Sequence, residues 1–268
     1  DKKIISVLNS KKFIKLKNIE QNIGAIITAR TSSNRLPNKA ISKIFNQESI
    51  QVLIKRVKTI KGISKVVLAT SIEKSDDILE DIAQRNKIDF FRGSLLNVAS
   101  RYYECAKKYN FDHFLRITGD AILCDPLMCE KAIDKHLDKA SDVTFMQNMP
   151  YGTAKEVISF QTIETIAKNA VIKNNTEYLE FYLNNSKNFK INFIKSNYIF
   201  NKKIRLTLDF KEDLELFNKI FKHFDKDVEN VKLREVLSYL QKNPMLLKIN
   251  NFHKPKFSKE ELNLELKI

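Results

Sequence analysis

Three cations and two serine hydroxyls fall within ten residues in Ala29-Arg30-Thr31-Ser32-Ser33-Asn34-Arg35-Leu36-Pro37-Asn38-Lys39. The run follows a strand-length apolar stretch, Ile23 to Thr28. At the C-terminal end of a buried strand, backbone N–H groups, serine hydroxyls and bidentate arginines can wrap a polyphosphate. Lys39 would add a point charge at the far end. A solvated basic loop accounts for the same residues. The loop is not a Walker A sequence, because its glycines and the G-K-[ST] ending are missing. Carboxylates come from two other places. Arg116-Ile117-Thr118-Gly119-Asp120 ends a second apolar run, with a glycine that could let a ligand approach. Asp120 there suits a magnesium site or caps a turn. Arg205-Leu206-Thr207-Leu208-Asp209 repeats the pattern, and acids open the helix that follows. Asp209 is a metal candidate or a helix N-cap. Two strand-end carboxylates in one sheet suggest a clamp on one Mg²⁺ and its phosphate oxygens.

Such a site needs strands that deliver these residues to one edge. Apolar runs of strand length at Ile23–Thr28, Lys65–Thr70, Ile88–Phe91 and His113–Thr118 alternate with helix-period stretches. The helices are expected over Ser49–Ile60, Asp76–Asn86 and Val98–Tyr109, and from Pro126, a residue favoured in a first helical turn. This rhythm predicts βαβ units, a largely parallel sheet, and ligands at the C-terminal strand ends. The second half is less regular. Strands are expected over Asp142–Met146, Lys190–Ile194 and Ile204–Leu208, and helices over Asn174–Asn184, Glu212–Phe224 and Val231–Lys242. The expected organisation is a lead-in over 1–22, which leaves room for a longer parent chain, one domain over 23–256, and a tail over 257–268.

Composition limits the classes. The net charge is +15, but of 47 basic residues 38 are Lys and nine are Arg, spread along the chain. A nucleic-acid surface shows clustered Arg among aromatics, so a field attracting an anionic small substrate is the more economical reading. No apolar run reaches the ~18 residues of a membrane span. Cys105, Cys124 and Cys129 form no C-x-x-C pair. That points to a reducing, cytoplasmic setting and no zinc site. His113, Tyr102, Tyr103 and Tyr109 read as packing residues.

The motifs taken together resemble a known family. I-I-T-A-R-T-S-S-N-R-L-P-N-K-A (26–40) looks like the nucleotide-binding loop of cytidylyltransferases that make CMP-activated acidic sugars. The resemblance is to the spore-coat-polysaccharide branch, related to CMP-Kdo and CMP-acylneuraminate synthetases. V-V-L-A-T-S (66–71), F-R-G-S (91–94), R-Y-Y-E-C-A (101–106) and R-I-T-G-D (116–120) follow in the family's order. P-Y-G-T-A-K-E (150–156), R-L-T-L-D-F-K-E-D-L-E-L (205–216) and N-P-M-L-L-K-I-N (243–250) complete the series. The resemblance implies a GT-A-like, Rossmann-related α/β nucleotidyltransferase, usually a homodimer. A sugar hydroxyl would attack the α-phosphorus of CTP, with Mg²⁺ as cofactor and pyrophosphate released. By that resemblance Arg30, Arg35 and Lys39 hold the triphosphate, Ser33 donates to it, and Ala29 and Gly119 border the nucleotide. Asp120 and Asp209 bind Mg²⁺, so Arg30, Lys39 and the two acids form the catalytic group. Arg101 and Arg92-Gly93-Ser94 lie near nucleotide or sugar. Glu156 and Glu177 face the acceptor, although Glu156 also suits a surface salt bridge. Departures from the family pattern fall at Ser32, Asn97, Ser100, Ile122, Ala154 and Tyr178. A GT-A glycosyltransferase, which would usually carry a D-x-D metal motif, and a non-catalytic nucleotide-binding domain are the competing readings.

Overall fold

Strand β1 (Ile23–Thr28) is buried on both faces, which is why its sequence is an unbroken apolar run and not an alternation. Ala25 and Ile27 pack on one side with Leu53 and Leu115, and Ile26 packs on the other with Tyr102 and Phe114. The computed structural model describes residues 21–33, 35–170, 179–185 and 187–253. Beside β1 lie β4 (Lys65–Ser71), β5 (Asp89–Gly93), β6 (His113–Thr118), β7 (Val143–Gln147), β8 (Glu156–Ser159) and β9 (Ile191–Lys195). These seven strands form one sheet in the order β5-β4-β1-β6-β8-β7-β9. All run parallel except β8, which is antiparallel to both neighbours. A separate hairpin pairs β2 (Lys43–Ile44) with β3 (Gln47–Glu48).

Helices α1 (Ser49–Val57), α2 (Asp77–Arg85) and α4 (Pro126–Asp138) bury their apolar faces in the core on one side of the sheet. The other side is covered by α3 (Val98–Lys108), α5 (Phe160–Asn169) and α6 (Leu179–Asn185). The fold is thus the α/β, Rossmann-like arrangement expected, a mostly parallel sheet flanked by helices. A third cluster joins Leu206 and Leu208 to α7 (Lys211–Phe224) and α8 (Leu233–Lys242). Arg56 on α1 is 1% exposed and ties this part to the sheet. Its guanidinium donates to the carbonyls of Cys124, Val228 and Val231, so the buried charge is spread over several oxygens. Among the described residues no helix is long and apolar enough to cross a membrane.

The second half departs from the sequence reading in three ways. Ile204–Leu208 is extended but is not a sheet strand. It lies across two loops, with Leu206 N–H donating to the Tyr151 carbonyl (2.8 Å) and Leu208 N–H to the Asp120 carbonyl (3.0 Å). Its one ladder contact is a bridge between Tyr151 and Arg205. The helix expected over Asn174–Asn184 starts outside the described residues, and α6 is its described part. The pair β8 and α5 was not anticipated. Ser159 ends the strand and caps the helix, accepting from Thr162 N–H at 3.2 Å, so no turn residue marks the change.

Candidate active site

The chain leaves β1 toward β4 and β5, then crosses back to β6 on the other flank of β1. The C-terminal ends of β1 and β6 therefore border the switch-point crevice where α/β sheets take ligands. The two ends touch: Gly119 N–H donates to the Thr28 carbonyl at 2.8 Å. A Cβ at position 119 would stand 2.9 Å from the Ala29 Cβ and 3.1 Å from the Thr28 oxygen. Strand closure by itself thus requires a glycine at position 119. Gly152 serves a similar end. Its φ is +94°, and a Cβ there would lie 2.5 Å from the Leu206 carbonyl.

A cleft of about 250 Å³ opens above this junction. Ala29, Arg30, Ser33, Arg35 and Lys39 line it from the loop after β1, and Arg101, Arg116, Gly119 and Asp120 line it from across. Asp209 reaches the same place from the segment before α7. Its Oδ1 lies 2.9 Å from an Arg35 Nη and 3.1 Å from Lys39 Nζ, and Lys39 Nζ is 3.8 Å from Asp120 Oδ2. The two acids that spacing singled out thus share one cation. Burial alone would push the Asp120 carboxyl up. The ammonium groups of Lys39 and Lys155 and a hydrogen bond from Thr118 outweigh it and bring it down to about 2. Asp209 is not the helix cap. The residue before α7 is Phe210, and the acid that accepts its N–H, at 2.9 Å, is Asp213.

The donor set fits a hard divalent cation. Two carboxylate oxygens already face a single ammonium, and Mg²⁺ takes its remaining oxygens from water and substrate phosphate. Among the described residues no group of three or more His, Cys, Asp and Glu converges as a closed metal cage. Asp120 and Asp209 are the residues that could hold such an ion.

Other expected residues sit elsewhere or do other work. Arg92 is drawn away from the cleft to the acids of α2, 2.5 Å from Asp77 and 3.4 Å from Glu80. With Gly93 and Ser94 it lines a neighbouring groove along α3. Arg101 borders the cleft, but its guanidinium donates to the carbonyls of Ser94 (2.7 and 2.9 Å) and Leu95 (3.1 Å), which fixes that loop. Glu156 is opposite Arg116 in the β6–β8 ladder and pairs with it at 3.0 Å, so it is neither a surface bridge nor turned freely to the cleft. Glu180 joins the same arginine at 3.3 Å. Glu177 and Tyr178 lie outside the described residues. Two departures from the family pattern have structural roles. Ile122 is fully buried in the third core cluster, and Asn97 caps α3 by accepting from Ser100 N–H at 3.0 Å.

Three residues that sequence reasoning passed over prove central. Asp76 is 1% exposed. It accepts from Thr31 N–H and hydroxyl (both 2.7 Å) and from the hydroxyls of Thr70 (2.9 Å) and Ser71 (2.5 Å). It thereby pins the start of the basic loop to the end of β4. Burial pushes its carboxyl up, and the bonds from Ser71, Thr31 and Thr70 bring it below its ordinary value. Lys155 is buried and adds positive potential at Asp120. Asn250, the last residue of N-P-M-L-L-K-I-N, donates to Asp213 at 2.8 Å. Lys155 and Asn250 fall inside the motif strings and Asp76 in none of them, and local spacing gave none of their partners.

Comparison with known proteins agrees with this geometry. The cytidylyltransferase family profile matches residues 24–261. An uncharacterized protein of Methanocaldococcus jannaschii is 33% identical over 84% of this chain and 93% of its own length. The spore coat polysaccharide biosynthesis protein SpsF of Bacillus subtilis is 28% identical over 82% of this chain and 94% of its own. The solved structure of a cytidylyltransferase from Leptospira borgpetersenii superposes with a TM-score of 0.80 at 25% identity, covering 88% of this chain and all of that one. With the match spanning the basic loop, both acids and the segment that joins them, the chain belongs to the cytidylyltransferase family and is a nucleotidyltransferase.

Proposed function

We propose that the protein transfers CMP from CTP to an acidic sugar or a related acceptor, with Mg²⁺ bound at Asp120 and Asp209 and pyrophosphate released. One observation carries the reading: carboxylates from two distant segments meet a single cation at the mouth of a cleft whose other charged walls are arginines. Mg²⁺, when bound, would draw charge from the phosphate oxygens. Arg35 and Lys39 would take up the negative charge that gathers on the departing pyrophosphate, since phosphoryl transfer needs chiefly positioning and neutralisation. Arg30 and the Ser33 hydroxyl supply further donors along the loop. Arg30, Arg35, Lys39, Arg101 and Arg116 line the cleft, and although Asp209 pairs with Arg35 and Lys39 and two glutamates pair with Arg116, this cation-rich wall suits a triphosphate together with an anionic acceptor. The likeness to SpsF supports a role in making a cell-surface polysaccharide.

Pyrophosphate release tests the reading directly. Each nucleoside triphosphate is incubated with Mg²⁺ and with Kdo, nonulosonic acids, neutral sugars or sugar phosphates. Release with CTP and a carboxylated sugar is the expected result. No release with any pair, together with no rise in melting temperature on adding CTP and Mg²⁺, would overturn it.

A further inference from the structure

The two oxygens of Asp209 live in different surroundings. Oδ1 meets Arg35 and Lys39, whose side chains are 36% and 19% exposed and can swing toward a phosphate. Oδ2 meets Arg205, 3.0 Å away and only 5% exposed. Arg205 cannot swing. Its Nε and Nη2 lie 3.1 and 3.3 Å from Asp213, and its guanidinium stands 5.2 Å from the centre of the Tyr151 ring and 5.6 Å from that of Phe210. Asp213 is fully buried and saturated in turn. It also accepts the N–H groups of Asp209 and Phe210, both at 2.9 Å, and the Asn250 amide at 2.8 Å. Asn250, 1% exposed, donates as well to the Arg205 carbonyl at 3.1 Å.

We infer that Arg205, locked by Asp213 and Asn250, is a positioning residue that occupies one oxygen of Asp209 and leaves only the other for a metal, once Arg35 and Lys39 turn to phosphate. A carboxylate held this way is a one-oxygen ligand. Ca²⁺ gathers six to eight oxygens and can take both oxygens of a carboxylate, an option the lock removes, whereas Mg²⁺ needs only single oxygens in a tight octahedron. The lock therefore selects the smaller ion. The inference rests on the divalent-cation reading of Asp120 and Asp209 above.

The test is the ratio of Mg²⁺ to Ca²⁺ affinity of the whole chain, measured by calorimetry with a non-hydrolysable CTP analogue present. Lysine at this position keeps the charge but, as a point donor, cannot hold both carboxylates in the arginine's fork geometry. Arg205→Lys should lower the Mg²⁺ preference by about tenfold, the scale of one charge-assisted hydrogen bond. With its melting temperature kept, it should also lower kcat while leaving the KM for CTP nearly unchanged. Should Arg205→Lys not fold, Asn250→Ala decides, since it loosens the lock without touching Asp209 and should shift the ratio in the same direction by less. An unchanged ratio in a folded variant overturns the lock while leaving the metal site intact. A wild-type protein that binds no divalent cation with the analogue overturns the metal reading itself.

Discussion

Lys39 has two partners available, the acids it contacts now and the phosphates it would meet in the proposed reaction. Its ammonium stands 3.1 Å from Asp209 and 3.8 Å from Asp120, in a position that a bridging cation would claim. Nucleotide and metal binding would therefore move Lys39 from carboxylate to phosphate, exchanging one ion pair for another. Lys39→Ala should reduce kcat/KM for CTP on the order of a hundredfold, the cost of losing one preorganised charge at the site. Unchanged steady-state kinetics would remove Lys39 from the phosphate site. Asp120→Asn and Asp209→Asn each keep the shape of the side chain and delete the charge. Both should abolish turnover while the protein still unfolds cooperatively, at a lowered melting temperature because each loses an ion-paired charge. Near-normal kcat in either would show that the acids do not share a metal.

The elements explain which parts of this site were readable. β1, β4 and β6 are central, buried strands, so their apolar runs stand out and their ends announce Arg30, Lys39 and Asp120. β8 did not stand out, because a four-residue strand carrying Glu156 opposite Arg116 has neither an apolar run nor a clean alternation. Ile204–Leu208 looked like a strand, since burial between loops selects the same residues as burial in a sheet. The supporting network was illegible for a different reason. Asp76 and Thr31 are 45 residues apart and Asn250 and Asp213 are 37 apart, separations that no local period reports. Gly119 and Gly152 let backbone segments close on each other, which local sequence does not report. Gly119→Ala should destabilise by about 1–3 kcal/mol through overpacking. Gly152→Ala should cost more, because its φ of +94° adds backbone strain to a clash with an unyielding carbonyl. Urea midpoints measured on both variants check the order, and a milder effect at Gly152 would contradict it.

At the scale of the whole molecule, acid stability should report a histidine pair, His136 buried and His113 half-buried, that joins three elements. His136 on α4 lies 3.0 Å from Thr144 Oγ1 on β7 and 3.0 Å from His113 on β6. His113 reaches Gln21 at 2.8 Å. Burial, with His113 alongside, pushes His136 down to about 3, and burial lowers His113 against the pull of Asp112 and Asp142. An unfolded histidine takes up its proton near 6.5. Between about 6.5 and 3 the unfolded chain therefore holds a proton that folded His136 does not, so stability falls with pH there. The limiting slope is about 1.4 kcal/mol per pH unit for each histidine kept neutral. Asp120 acts in a lower window. Its folded value of about 2 lies below the ordinary 3.8, so its contribution is complete above 3.8, shrinks as pH falls toward 2 and is gone below that. The +15 net charge also grows as carboxylates protonate, adding repulsion mainly below their usual range. Comparing a His136 variant with the wild type from pH 7 to pH 4.5 cancels the carboxylates common to both, Asp125 among them, whose burial raises its carboxyl. In His136→Gln the amide can still bond Thr144 but cannot gain a proton on unfolding. Its urea stability should fall less steeply across that interval than the wild type's, by close to the slope above. Parallel pH profiles for the two proteins would show that His136 titrates alike in both states.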